Sequence, residues 1–269
     1  LASPRAYLEF SAPGGGRFRA HPGDGYWMRI LLARRRYEPE LLPVVTAAVE
    51  AGIPFLDCGA NLGWWSVVAG AGTKDPAMVL AVEASPATYQ ALVANSRLNR
   101  DSFTSRQVAV WSRSGDVVDF VEARESAASG VARTRTSETV GGHVEQVPTA
   151  TLDELLAAVA PDGGAVLCKL DVEGAEIEVL GASERIRSGD VALAYEDHGS
   201  DRTSAGSMWL LDRGFVVYAP AADGSLTRMT DLAALTALKV DHAWGYNFLA
   251  WTEGGAAEAA FGPRAAQSR

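Results

Sequence analysis

Seven residues, Asp57-Cys58-Gly59-Ala60-Asn61-Leu62-Gly63, join a short apolar run (Ile53, Phe55, Leu56) to the small-residue segment Trp64 to Ala71. This is the pattern of a strand, a glycine turn and a helix. The two glycines let the backbone turn sharply and let a ligand approach the main chain, and the following helix offers unpaired N–H groups to an anionic group. A second apolar run, Met78 to Val82, ends in Glu83, where nucleotide-binding α/β folds place an acid on ribose hydroxyls. Turn and acid together predict an adenosine-type ligand. Two later apolar runs also end in acids: Asp171 and Glu173 after one, Glu196-Asp197-His198 after the other.

The turn lacks the third glycine of G-x-G-x-x-G and the lysine of G-x-x-x-x-G-K-[ST], so neither a dinucleotide nor a phosphate-loop site is read. Instead, Asp57 to Gly63 resembles the D-x-G-x-x-x-G first motif of S-adenosylmethionine-dependent methyltransferases. The stretch Lys169-Leu170-Asp171-Val172-Glu173-Gly174-Ala175-Glu176, followed by Val179-Leu180, resembles the K-[IL]-D-V-E-G-A-E-x-x-V-L pattern of the FkbM family of methyltransferases. With residues 57–66, 82–86, Thr151-Leu152-Asp153 and Tyr37-Glu38-Pro39, the resemblance spans roughly residues 37–250. Cys58 stands where an aliphatic is usual, and Trp64-Trp65 replaces a smaller aromatic.

The elements that must position these residues follow from periodicity and turn chemistry. Residues 1–36 read as an extension, with a hairpin of Ala6 to Phe10 and Gly16 to Ala20. Within it, Tyr26 to Leu32 either packs against the sheet edge or covers the site as a lid, and packing is preferred. Glu38 to Ala51 has helical spacing and is stopped by Gly52. Ser85-Pro86 starts a helix with a capping hydroxyl and proline at its first position, and Thr151 to Glu154 forms a capping box. Ser105 to Val110 reads as a third strand. Residues 115–148 read as an inserted hairpin whose polar tip, 124–142, is mobile. Buried strands are expected at Ala165 to Leu170, Val191 to Tyr195, Phe215 to Ala219 and Tyr246 to Trp251. The count predicts an α/β, Rossmann-like class I methyltransferase fold with a seven-stranded, mostly parallel sheet and an antiparallel edge pair. Its domain runs over 37–252, with a flexible tail at 253–269.

The resemblance implies S-adenosylmethionine as cofactor, with Asp57, Gly59, Ala60, Asn61 and Gly63 at the methionine moiety. It places Glu83 with Ala84 at the ribose, Ala109 and Val110 at the adenine, and Asp171 and Glu173 facing the methyl. A hydroxyl acceptor needs help to lose its proton. Asp171 or His198 could be the general base, since imidazole titrates near neutrality. Alternatively, Asp171, Glu196 and Asp197 could converge on magnesium. The base is preferred. The expected activity is O-methylation of a small-molecule natural product or sugar; N-methylation, a protein or glycan acceptor, and a non-catalytic cofactor-binding protein are the alternatives. A nicotinamide-dependent dehydrogenase is disfavoured by the missing glycine.

Composition narrows the partners. In 269 residues, 48% are hydrophobic and 21% charged, as in a globular enzyme, and no apolar run reaches membrane-spanning length. A net charge of −9 argues against nucleic acid, with Arg34-Arg35-Arg36 the one basic exception. Two cysteines, Cys58 and Cys168, suit reduced thiols, and no C-x-x-C pair suggests structural zinc. No signal peptide is read, so a cytoplasmic location is expected; oligomeric state stays open, with a homodimer as one form.

Overall fold

Apolar runs with no polar face must be covered on both sides, and in this computed structural model they form the middle of one sheet. The structure describes residues 6–34, 37–122, 130–131, 143–242 and 244–263. The chain begins with a hairpin, β1 (Leu8–Ser11) and β2 (Arg17–Ala20), then α1 (Gly25–Met28), which continues as a π-helical stretch, Arg29–Arg34. Next come α2 (Leu42–Glu50), β3 (Phe55–Cys58), α3 (Trp64–Gly72), β4 (Val79–Glu83), α4 (Pro86–Leu98) and β5 (Thr104–Gln107). Four strands and a helix follow: β6 (Ala109–Val110), β7 (Val117–Glu122), β8 (Gly130–Val131), β9 (His143–Ala150) and α5 (Leu152–Val159). The last third contains β10 (Val166–Leu170), α6 (Glu176–Ala182), β11 (Val191–His198), α7 (Ala205–Leu211), β12 (Phe215–Pro220), β13 (Leu226–Met229), α8 (Leu232–Leu238), β14 (Gly245–Thr252) and α9 (Ala256–Phe261).

The main sheet has the order β13-β12-β14-β11-β10-β3-β4-β5. Strands β5, β4, β3, β10 and β11 are parallel, and β14 runs antiparallel between β11 and β12. The expected class I sheet is therefore present, with an eighth strand added: β13 folds back on β12 and lengthens the antiparallel end. Side chains alternate between two cores. Leu56, Cys58, Leu80, Val82 and Cys168 face one; Phe55, Val79, Ala81 and Leu167 face the other. Both cysteines are buried and free, and the Cys168 side chain beside Cys58, together with burial, pushes the Cys58 thiol up.

Several expected elements change their limits for physical reasons. The single third strand is broken at Val108: β5 pairs with β4, whereas β6 leaves to pair with β9 in a second sheet of order β6-β9-β7-β8. That bend turns Val108 to Val110 toward the strand ends. The inserted hairpin forms through β7 and β9, and most of its expected polar tip lies outside the described residues. The tail expectation fails for its first part. Helix α9 is docked, with Ala257 fully buried and its N–H donating to Gly189 O at 2.9 Å. The Ser85 cap forms, its hydroxyl accepting from Thr88 N, and so does the Thr151 cap, accepting from Glu154 N; the expected capping box is not closed, because Thr151 N donates to Ser114 Oγ and the Glu154 carboxylate accepts from Arg106 and Ser114 instead.

The N-terminal hairpin is stitched to the domain by two asparagines one helical turn apart. Asn95 accepts from Arg19 N and donates to Arg19 O, and Asn99 does the same for Arg17. Two side chains, one on α4 and one capping its C-terminal end, thus stand in for a neighbouring strand on β2. Asn95 also donates to Leu62 O at 2.8 Å, which ties the hairpin to the glycine turn.

Candidate active site

The glycine turn is built by packing rather than by ligand approach. Gly59 has φ +76°, and a Cβ there would fall 1.7 Å from the carbonyl oxygen of Asp171. The missing side chain lets the ends of β3 and β10 close on each other, with Asp171 N donating to Cys58 O at 3.0 Å. Gly63, with φ +87°, packs against Leu92 and does not line the cavity. Gly59 and Ala60 both donate to Val82 O. Asn61 sits at φ +53°, its N–H donating to Glu83 Oε2 at 2.9 Å, while its Oδ1 accepts from Trp27 Nε1 at 2.9 Å and Leu62 N at 2.8 Å. Glu83 Oε1 accepts from Ser85 N at 2.8 Å. Burial pushes the Glu83 carboxyl up to about 7, against the pull of the Ser85, Asn61 and Ala84 amides.

Gly59, Ala60, Asn61 and Glu83 line one cavity of about 590 Å³ beyond the carboxyl ends of the strands, a size and place suited to a small-molecule ligand. At one end Glu83, Ala84 and Val108 to Val110 meet Phe120 of the inserted hairpin. At the other lie Asp171, Glu173, Glu196 and His198. Trp27 is buried against Phe18 and Trp64, and it lines the cavity together with Tyr26 and Ile30. The 26–32 segment is therefore both packed and part of the site wall. Glu38, Asn61 and Glu173, which line the cavity, hold left-handed φ of +41°, +53° and +57°, a conformation uncommon for residues with a side chain.

The far end is an acidic cluster around one ammonium. Lys169, 4% exposed, donates to Asp171 Oδ2 at 2.8 Å and is the cross-strand partner of Asp57. Burial works against its charge, but the carboxylates of Asp171, Glu38 and Asp57 raise its pKa well above the ordinary lysine value. Burial also raises the carboxyls of Asp57 and Glu38, with Lys169 offsetting it at both. Asp57 accepts from Ser66 Oγ at 2.6 Å, and Glu38 accepts from the Trp65 indole. Glu196 is pushed up to about 8 by burial, with Asp171 and Glu38 adding to the effect. One oxygen from each of Glu38, Asp171 and Glu196 lies within 4.8 Å of the others.

The expected magnesium trio is not assembled. Asp197 points to the other side of β11 and is 5% exposed; it accepts from Lys239 Nζ at 2.5 Å and Ser207 Oγ at 2.7 Å. Alternation along a strand sends neighbours 196 and 197 to opposite faces. His198 reaches the cavity edge but is exposed, and its Nδ1 accepts the Ser200 N–H at 3.1 Å and meets Ser200 Oγ at 2.7 Å. With Nδ1 accepting, the neutral ring carries its proton on Nε2, so its basic nitrogen is already engaged.

Sequence reasoning missed Trp244 and Gly245, held Lys169 and Glu38 only as parts of a resemblance, and weighed Tyr26 and Trp27 as a lid but preferred packing. Lys169 had a readable signal: a lysine inside an otherwise apolar buried strand must have a carboxylate partner. Trp244 and Gly245 had none, because their place depends on β14 inserting beside β11.

No curated protein matches this chain. Among solved structures it is similar to precorrin-6y C5,15-methyltransferase from Geobacter metallireducens GS-15, at 15% identity and a TM-score of 0.43, over 78% of this chain and 86% of that one. It is similar, at 14% identity and the same TM-score, to methyltransferase FkbM from Methylobacillus flagellatus KT, over 74% of this chain and 43% of that one. Both likenesses are distant, and the assignment rests on a family model. The model of the methyltransferase FkbM domain matches residues 57–217, more than half of the chain, from Asp57 at the glycine turn to Val217 in β12. The match takes in Asp57, Glu83, Asp171 and Glu196, the strand-end acids that the cavity brings together, and by it the chain belongs to the FkbM methyltransferase family.

Proposed function

We propose that the protein is an S-adenosylmethionine-dependent methyltransferase that methylates a hydroxyl on a small-molecule natural product or sugar. The observation that carries the cofactor is Glu83. Its two oxygens each take one backbone N–H, from Asn61 and Ser85, and the carboxylate lines the cavity with acceptor capacity left for ribose hydroxyls. The rest of the lining fits the same ligand. Ala84, Val108 to Val110 and Phe120 form an apolar wall for adenine, Gly59 to Asn61 border the methionine portion, and the acidic far end suits a sulfonium cation. When bound, S-adenosylmethionine supplies the electrophilic methyl group; the chain's own work is to align an acceptor and take up its proton.

Hydroxyl acceptors are favoured by the carboxylates at the far end, which accept hydrogen bonds from O–H groups and can receive a proton. The same acids repel phosphorylated acceptors, and the net charge of −9 disfavours nucleic acid. Magnesium is not favoured, since Asp197 belongs to Lys239 and the Lys169 ammonium, 2.8 Å from Asp171, already supplies a positive charge to the acidic cluster. Among the described residues no helix is long and apolar enough to cross a membrane, and we propose a cytoplasmic location.

The test is calorimetry with S-adenosylmethionine and with NAD, followed by a screen of hydroxylated small molecules using methyl-labelled cofactor, with and without EDTA. S-adenosylmethionine should bind, NAD should not, and EDTA should leave turnover intact. Preference for NAD, or salt-sensitive methylation of RNA or DNA, would contradict the proposal.

A further inference from the structure

Three carboxylates and one ammonium cannot all be charged at such short range without cost. The oxygens of Glu38, Asp171 and Glu196 lie within 4.8 Å of one another, and Lys169 is the cation bonded into the cluster. Carboxylates that share a site retain a proton between them. Where it resides follows from the donors. Trp65 donates to Glu38 and Lys169 donates to Asp171, whereas no hydrogen bond among the described residues reaches the Glu196 carboxyl. Its place is set by packing against β14: a Cβ on Gly245 would fall 2.2 to 2.4 Å from Cδ and the two oxygens of Glu196. Glu196 is therefore held at the cavity wall by shape, with its oxygens left for a ligand.

We infer that Glu196 is the proton acceptor of this methyl-transfer site and that its carboxyl stays protonated until a cation enters the cavity. This rests on the proposed reaction and names the residue that completes it. The groups facing Glu196 are Asp171, Glu173 and Lys169 from the β10 end, Glu38 from the segment before α2, and Tyr26 from α1; β14 contributes the uncharged Gly245 and Asn247, the latter bonded to Glu40, and His198 on β11 and Arg29 after α1 line the same cavity. All the acids among them favour the protonated form, and a cation on the acidic side would reverse that balance. Glu196 then gives its proton to solvent and becomes a free carboxylate. As the acceptor oxygen bonds to the methyl carbon, the carbon–sulfur bond breaks with its electron pair staying on sulfur, and the hydroxyl proton passes to Glu196, whose charge is no longer supported once the sulfonium has become a neutral thioether.

The test needs no acceptor. S-adenosylmethionine and the uncharged-sulfur product S-adenosylhomocysteine are titrated by calorimetry at pH 7, in buffers of different ionisation enthalpy. The wild type should release close to one more proton per site with the sulfonium than with the product, and Glu196→Gln should lose that difference. Equal release by both ligands, or a difference that persists in Glu196→Gln, overturns the inference. No binding of either ligand to the wild type refutes the cofactor reading instead. Should the variant not fold, 13C NMR of glutamate-labelled wild type decides. A carboxyl that titrates above neutrality in the free protein and drops below it with the sulfonium bound supports the inference; an unmoved titration overturns it. With an acceptor from the screen, Glu196→Gln should lower kcat at least 100-fold, and unchanged kcat overturns the assignment.

Discussion

Replacing Glu83 with alanine should have two separable effects, because its carboxylate is bonded both to the chain and, as proposed, to the cofactor. Oε2 and Oε1 accept from the amides of Asn61 and Ser85 at 2.9 and 2.8 Å, in a residue only 7% exposed. Removing the acceptor leaves two backbone N–H groups unsatisfied, at roughly 1 to 3 kcal/mol each. A total near 2 to 6 kcal/mol should lower Tm by about 4 to 24 °C in a domain of this size. Losing a hydrogen bond from a ribose hydroxyl to a charged acceptor costs roughly 1.5 to 3 kcal/mol more, which raises the S-adenosylmethionine Kd about 10- to 150-fold. The upper end is expected, since Asn61 loses the anchor that holds it at φ +53°. Glu83→Gln keeps one acceptor oxygen but turns an NH2 toward a backbone N–H, so it should fall between alanine and wild type in both readouts. Thermal unfolding of the free protein measures the first effect, and calorimetry well below the variant's Tm measures the second. A folded Glu83→Ala protein whose Kd stays within threefold of wild type would refute the assignment of Glu83 to the ribose. An unchanged Tm would refute its role in the turn.

Lys239→Met leaves Asp197 charged and unpaired at 5% exposure, and should cost about 3 to 5 kcal/mol; most of this returns when Asp197→Leu is added. A Tm loss under 3 °C in the single variant, or no recovery in the double, would count against a buried ion pair. His198→Ala should lower turnover less than about tenfold, because its Nδ1 is already engaged by Ser200; a loss of 100-fold or more would return the base to His198. Stability should also depend on pH through Glu196. Its carboxyl titrates near 8 when folded against an ordinary value of 4.5, so its contribution is full below about pH 4.5 and is lost as pH rises through 8. Relative to Glu196→Gln, the wild type should weaken across that window by no more than about 5 kcal/mol. Urea unfolding at pH 5.5, 7 and 8.5 checks this, and a constant difference between the two proteins would refute it.

Much of the fold was legible because its signals are local. The glycine turn after β3, the acids that end β4 and β10, and the caps at Ser85 and Thr151 each depend on a few consecutive residues, and all stand where spacing placed them. Periodicity likewise marked the strands, since a run such as Val166–Leu170 has no face it could show to water. Local signals stop at contacts made across the chain. Gly59 reads as a ligand-binding glycine, yet its space is taken by the Asp171 carbonyl, more than 100 residues away. Glu196 and Asp197 are adjacent letters with opposite fates: strand alternation sends one to the cavity and the other to a buried lysine 42 residues on. Glu38 reaches Trp65, and comes within range of Asp171 and Glu196, only because the extension docks through Asn95 and Asn99 and wraps Trp27 onto Asn61. Sequence alone determined the strand ends at which charge would gather, because burial and turn chemistry act over neighbouring residues. Tertiary structure decided which of those charges face one another, because Coulomb energy and the sharing of a proton depend on distance through space and not along the chain.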